Sequence, residues 1–384
     1  MPTLRNGSFV LVLAALLVAA LGVGALAADG EIVIGLNVEL TGSIPVVGQS
    51  SVRGAQLAVL EINSAGGLEV GGKRYEITLV IEDNQDVAPS AAAATTKLIT
   101  QNNVLAVIGP NASRNAIPAA IVANNLRTPM ISPWSTAVET TVDRPYVFRA
   151  AFIDDFQGEV VATFARETLG AQTAAVLFDI ASDYNKGIAE IFRERFEAAG
   201  GRVVAFESYT TGDRDFSSQL TNIRAHNPDV LFLPNYYSEV PLQVQQARRL
   251  GYTGHIVGSD SWGNEEIIAL GGQFMEGLFF STHYAPDIAT PAAQRFIQAY
   301  QARYGSAPDD VAALTYDSFG LLFQAIQDAG VVDRDAVRDA LARITNYEGV
   351  TGSMTFTGTG DPIKSAVFIQ IKDGKFTYYD SIAP

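Results

Sequence analysis

INSAGG (62–67) leading into YEITLVIED (75–83) returns later in the chain as FEAAGG (196–201) leading into RVVAFESY (202–209). Each copy joins the end of a helical pattern to a strand rich in β-branched and aromatic residues. The joint is a glycine pair, Gly66-Gly67 or Gly200-Gly201, and glycine takes the left-handed backbone that closes a helix. A supersecondary phrase used twice at this separation predicts two similar lobes rather than one large sheet.

Reading outward from the first copy, strands and helices alternate. EIVIGLNVEL (31–40) reads as a buried strand and GQSSVRGAQLAVLEINSAGG (48–67) as a helix. The apolar stripe of that helix is Val52, Ala55, Val59 and Ile62, at spacings of three and four. Helices follow at 89–101 and 113–126, and strands at 104–110 and 128–132. Around the second copy the same alternation gives strands at 173–179 and 228–235 and helices at 184–201 and 215–227. This is the β-α-β-α pattern of parallel sheets covered on both faces.

The fold class is therefore α/β, with two doubly wound, Rossmann-like lobes joined by a multi-strand hinge. The first crossing falls at 143–158, around Pro145, a second near Gly277 to Pro286 and a third near GVTGSMTF (349–356). Helices at 291–304 and 311–329 return to the first lobe. The expected division is 28–149 plus 279–352 for the N-terminal lobe and 150–278 plus 353–384 for the C-terminal lobe.

Residues 1–27 read as a secretory signal peptide: Arg5, an apolar run from Phe9 to Val23, and the small-x-small pattern Ala25-Leu26-Ala27. Cysteine is absent, so there is no disulfide, no thiolate metal site and no lipid anchor on a cysteine. These features predict an unanchored periplasmic protein. A formal net charge of −15 disfavours nucleic acid and anionic membrane surfaces as partners.

The chemistry of an enzyme is hard to find. There is no GxGxxG opening a helix, no P-loop and no GxSxG nucleophile elbow. Gly358 to Asp361 reads as a turn. His226, His255 and His283 lack the i, i+4 partner of a zinc helix, and each reads as an ordinary surface or hydrogen-bonded histidine. Asp154-Asp155 and Glu82-Asp83 are adjacent acids, and neighbours in a strand face opposite ways. No cofactor is expected.

Open α/β sheets bind ligands beyond the carboxyl ends of their strands. The residues there include Asn111 to Ser113, Trp134 to Thr136, Ala181 to Tyr184, Asn235 to Tyr237 and Ser259 to Trp262. Hydroxyls, aromatic rings and one acid, Asp260, suit a small zwitterion with an amphipathic tail. Each also has a plainer reading: Ser113 as a helix N-cap, Tyr236-Tyr237 and Trp262 as packing between lobes, Asp260 as a cap.

With IGLNVELTG, IGPNASRNAIPAA, TPMISPWSTA, DYNKG, DFSSQLTNIR, QQARRLGY and GSDSWGN in place, the chain resembles the type I periplasmic binding proteins. Within them it is most similar to the branched-chain amino acid receptors of ABC importers, over most of its length. The resemblance implies a carboxylate site at Ser113 and Thr136, with Ser135 beside it, and a backbone carbonyl at Trp134 for the ammonium. It also implies second-lobe contacts from Tyr184, Tyr236 and Asp260, and delivery of an amino acid to an ABC permease in the inner membrane. Two positions depart from the pattern. Trp134 replaces a small residue, so its indole either shortens the tail pocket or stacks on the ligand. Val47 stands where an aromatic often packs. Other readings are a receptor for amides, urea-like compounds or aromatic carboxylates, a ligand-sensing subunit, and a periplasmic hydrolase.

Overall fold

The structure is a computed structural model describing residues 28–288 and 290–384. The expected signal peptide lies outside the described residues. The chain begins with β1 (Gly30–Val38), α1 (Pro45–Ser64), β2 (Leu68–Val70), β3 (Lys73–Asp83) and α2 (Ala88–Thr100). It continues with β4 (Ala106–Ile108), α3 (Ser113–Asn125), β5 (Met130–Ser132) and β6 (Val147–Arg149). These strands form one sheet in the order β2-β3-β1-β4-β5-β6, parallel apart from the β2–β3 hairpin.

The second lobe runs α4 (Asp154–Thr163), β7 (Thr173–Asp179), α5 (Asp183–Ala198), β8 (Arg202–Tyr209), α6 (Ser217–His226) and β9 (Val230–Leu233). Then come α7 (Val240–Arg249), β10 (His255–Gly258), α8 (Glu266–Gly271) and β11 (Phe279–Thr282). Next, α9 (Pro291–Tyr304), α10 (Asp310–Ala329) and α11 (Arg334–Leu341) return to the first lobe, where α1 packs along α10. A small antiparallel sheet follows, β12 (Tyr347–Gly349), β13 (Gly352–Phe356) and β14 (Pro362–Ile363). Finally β15 (Ala366–Lys372) and β16 (Lys375–Ile382) complete the second sheet, ordered β16-β15-β11-β10-β9-β7-β8.

Without the hairpin strand β2 and the appended pair β15–β16, the two cores have one topology. It is β3-β1-β4-β5-β6 in one and β8-β7-β9-β10-β11 in the other. The repeated phrase closes the first helix of each core in the same way. Gly67 N–H donates to Ile62 O at 3.0 Å, and Gly201 N–H donates to Phe196 O at 2.9 Å. Gly66 and Gly200 hold φ of +95° and +79°. Both are the six-residue closure of a Schellman end. The central strands β4, β5 and β9 are buried along their whole length, as strands covered by helices on both faces must be.

The second crossing differs from the expected division at residue 279. β11 is hydrogen-bonded between β10 and β15, so Phe279 to Thr282 belong to the C-terminal lobe and the chain crosses after them. An apolar run that ends in a crossing gives no sequence mark of which sheet it joins. The first and third crossings touch: Arg149 N–H donates to Gly360 O at 2.9 Å. A Cβ at Gly360 would lie 2.0 Å from Val147 O, so only glycine allows this approach.

Candidate functional site

Each core has a switch point, where the strands that follow the first one begin to be added on its other side. It lies between β1 and β4 in one lobe and between β7 and β9 in the other. Crevices outside such points are where doubly wound sheets take ligands. Ser113 follows β4, Tyr184 follows β7 and Tyr236 follows β9, so each lobe presents side chains from its own switch point, and the three line one cavity.

Ser113 is the first residue of α3, and the N-cap position belongs to Ala112. The Ser113 hydroxyl is instead 2.8 Å from Ser135 Oγ, which is 2.7 Å from Thr140 Oγ1. Ser135 and Thr136 do not open an α-helix. They precede a single 3-10 turn, Val138–Thr140. The loop is pinned by the buried Arg149, which donates to Ser135 O and Ala137 O at 2.8 Å each and pairs with Asp361 at 2.7 Å. Thr136 Oγ1 is buried and turned toward the Asp154 carboxyl rather than into open space.

In the second lobe, Tyr184 lies in the first turn of α5, whose N-cap is Ser182. Asp260 opens a 3-10 turn, Asp260–Trp262, beyond β10. A Cβ on Gly258 would fall 2.1 Å from the Trp262 ring, so glycine there lets the indole pack under the turn. Asp260 is 2% exposed and receives three donors. Tyr184 OH donates to Oδ1 at 2.6 Å and Gln157 Nε2 at 3.0 Å, while His283 Nε2 donates to Oδ2 at 3.1 Å. Burial holds the His283 imidazole below its usual range, so the ring stays neutral and gives its one N–H to the carboxylate.

Five of the seven expected residues, Ser113, Trp134, Tyr184, Tyr236 and Asp260, line one cavity of about 10 Å³ with Asn111, Ala112 and Ser261. That volume is about one water-sized sphere. Ser135 and Thr136 are not in its wall; Ser135 supports Ser113 from behind. The Trp134, Tyr236 and Tyr184 rings form a chain, with centroids 6.0 Å and 5.7 Å apart. Val47 is buried in the first turn of α1 and does not line this cavity.

Reading the sequence missed Gln157, Asp154, Asp310 and His283. His283 is the hydrogen-bonded kind of histidine the sequence allowed, but its partner, Asp260, was not foreseen; its ring centre lies 3.7 Å from that of Phe152. Asp154 and Asp310 are fully buried. Burial, with Asp260 nearby, pushes the Asp154 carboxyl well above the usual carboxylate range, and burial beside Asp309 does the same to Asp310. Only the crossing of chains between lobes brings these groups together, and spacing along the sequence carries no trace of it. Among the described residues, no group of three or more His, Asp or Glu side chains could hold a metal ion. No helix there is long and apolar enough to cross a membrane.

Two α/β lobes meeting at paired switch points, with a polar, aromatic-walled cavity between them, define a two-lobed receptor for a small molecule. Residues 31–375 match the periplasmic binding protein family, and the chain belongs to that family. It is 30% identical to the leucine-, isoleucine-, valine-, threonine- and alanine-binding protein of Pseudomonas aeruginosa, over 96% of this chain and 94% of that one. The leucine-binding protein LivK of Thermotoga maritima is similar in structure, with a TM-score of 0.87 and 35% identity over 92% of this chain and 99% of that one. So is LivJ of Streptococcus pneumoniae, a branched-chain amino acid transporter substrate-binding protein solved with isoleucine. Its TM-score is 0.86, at 35% identity over 92% of this chain and all of that one. These relatives are binding proteins rather than enzymes.

Proposed function

We propose that the protein is the periplasmic receptor of an ABC importer and captures an amino acid between its lobes. Branched-chain and other small amphipathic amino acids are the starting class, since those are what the relatives are named for. The observation that carries this reading is the opposed chemistry around one cavity. On the first lobe stands the Ser113 hydroxyl, supported from behind by Ser135 and suited to a carboxylate. On the second stands the Asp260 carboxylate, suited to an ammonium. Charge-assisted hydrogen bonds of this kind contribute about 1.5–3 kcal/mol each.

The remaining space of about 10 Å³ is far too small for an amino acid, so ligand entry requires the lobes to part about the three crossings. The first lobe holds the ligand while open, and Tyr184, Tyr236 and Asp260 add their contacts only on closure. That difference in contact drives the closing. The closed form then docks on an inner-membrane permease, and a cleaved leader delivers the chain to the periplasm. The test is a thermal-shift screen across the amino acids, their amides and small aromatic acids. A ligand at 100 times its Kd stabilises by about 2.7 kcal/mol. Shifts with amino acids support the reading, and shifts confined to amides or aromatic acids overturn it.

A further inference from the structure

Next to the small cavity lies a larger one of about 190 Å³, also between the lobes, whose wall includes Asp309, Asp310, Thr282 and Tyr284. The wall between the two is the Trp134 indole, which lines the first, and the Asp310 carboxylate, which lines the second. They are joined by a bond from Trp134 Nε1 to Asp310 Oδ2 at 3.3 Å. Asp309 has a structural role: it caps α10 through Ala312 N–H and accepts from Ser50 and Asn264. Asp310 is different. Thr282 Oγ1 also donates to its Oδ2, at 3.2 Å, but its Oδ1 has no partner although the residue is only 2% exposed. The Tyr284 hydroxyl, in the same wall and 6% exposed overall, has no partner either. A Cβ at Gly263 would sit 2.4 Å from Asp310 Oδ2, so the backbone there is kept clear for this carboxylate.

A buried carboxylate oxygen without a donor costs free energy, and a first-turn acid that only served the α10 helix dipole would do so from the surface. The cavity wall carries Asp309, Asp310 and Glu265 against the single Arg53, whose side chain reaches it from the exposed side of α1. An aliphatic tail would leave the Asp310 oxygen unpaired. A slim tail ending in a positive charge would satisfy it.

Resting on the reading that the small cavity takes an amino acid head group, we infer that the ligand's unbranched tail passes the Trp134 edge into the larger cavity and ends in a cationic group paired with Asp310. This sets the protein apart from relatives named for branched aliphatic amino acids. The test is calorimetric titration of the wild-type protein with L-lysine, L-norleucine (the same four-carbon chain without the ammonium) and L-alanine, then of Asp310→Asn with the first two. Lysine is expected to bind at least tenfold more tightly than norleucine, and Asp310→Asn to erase that ratio. Norleucine binding as tightly as lysine in the wild type, or a ratio that survives Asp310→Asn, overturns the tail assignment alone. Failure of all three, alanine included, overturns the head-group reading and this one with it.

Discussion

The Arg114 guanidinium of the first lobe lies 4.8 Å from the centre of the Tyr236 ring of the second. Arg114 is also paired with Asp86 at 2.6 Å inside its own lobe, so the cation is held in place whether the lobes are open or closed. The stacking contact exists only in the closed form. A desolvated cation–π contact of this type contributes up to about 2 kcal/mol. Arg114→Met should therefore weaken ligand binding by about 1–2 kcal/mol, mainly through faster release. Stopped-flow dissociation rates check this, and an unchanged release rate would show that the contact does not hold the lobes together.

Asp260 gathers Tyr184, Gln157 and His283 around one carboxylate. Asp260→Asn keeps the shape and removes the charge. Affinity for an amino acid should fall by roughly 1.5–3 kcal/mol, with the far-ultraviolet circular dichroism unchanged. Calorimetry giving equal affinity for variant and wild type would remove Asp260 from the ammonium site.

Trp134 is 5% exposed, and the cavity on its side holds about 10 Å³. The indole therefore restricts the tail pocket. Trp134→Ala would join the two cavities. Leucine and phenylalanine should then gain at least tenfold in affinity relative to alanine. The same preference order in both proteins would mean that the ring does not set the size limit.

Burial beside Asp309 lifts the Asp310 carboxyl well above its usual value of 3.8. A carboxyl raised in the folded state costs stability at any pH above the unfolded value, and the cost vanishes below it, where both states are protonated. Asp310→Asn should therefore melt several degrees higher than wild type at pH 7, with the difference shrinking as pH falls toward 4. Asp309 and Asp260 repel the Asp310 carboxylate, so the gain in Asp310→Asn includes the relief of that repulsion. A variant less stable than wild type at pH 7 would mean that the carboxylate stabilises the fold and is not held against a cost for binding.

Much of the fold was legible because its cues are local. Apolar periodicity and Gly-Gly ends placed α1, α5, β7 and β8 within a few residues. The strand-end rule marked the stretches that hold Ser113, Trp134, Tyr184, Tyr236 and Asp260, which line one cavity, since a residue just beyond a buried strand emerges at the carboxyl edge of its sheet. What was not legible depends on contacts between lobes. Asp310 opens a helix far along the chain, and His283 follows β11 with no motif around it; only folding puts one against Trp134 and the other against Asp260. Ser135 shows the opposite limit. Its place after β5 was right, but its hydroxyl is used within the first lobe, between Ser113 and Thr140.

In the proposed reading, one cavity holds both ends of an α-amino acid head group, with the Ser113 hydroxyl on one side and Asp260 on the other. The direct measurement is calorimetric titration of the protein with its best-binding L-amino acid, with the α-amide of that amino acid, and with its N-acetyl derivative. The free amino acid should bind with one-to-one stoichiometry. The amide, lacking the carboxylate, and the N-acetyl form, lacking the ammonium, should each lose about 1.5–3 kcal/mol or more. Either derivative binding as tightly as the free amino acid would contradict the account.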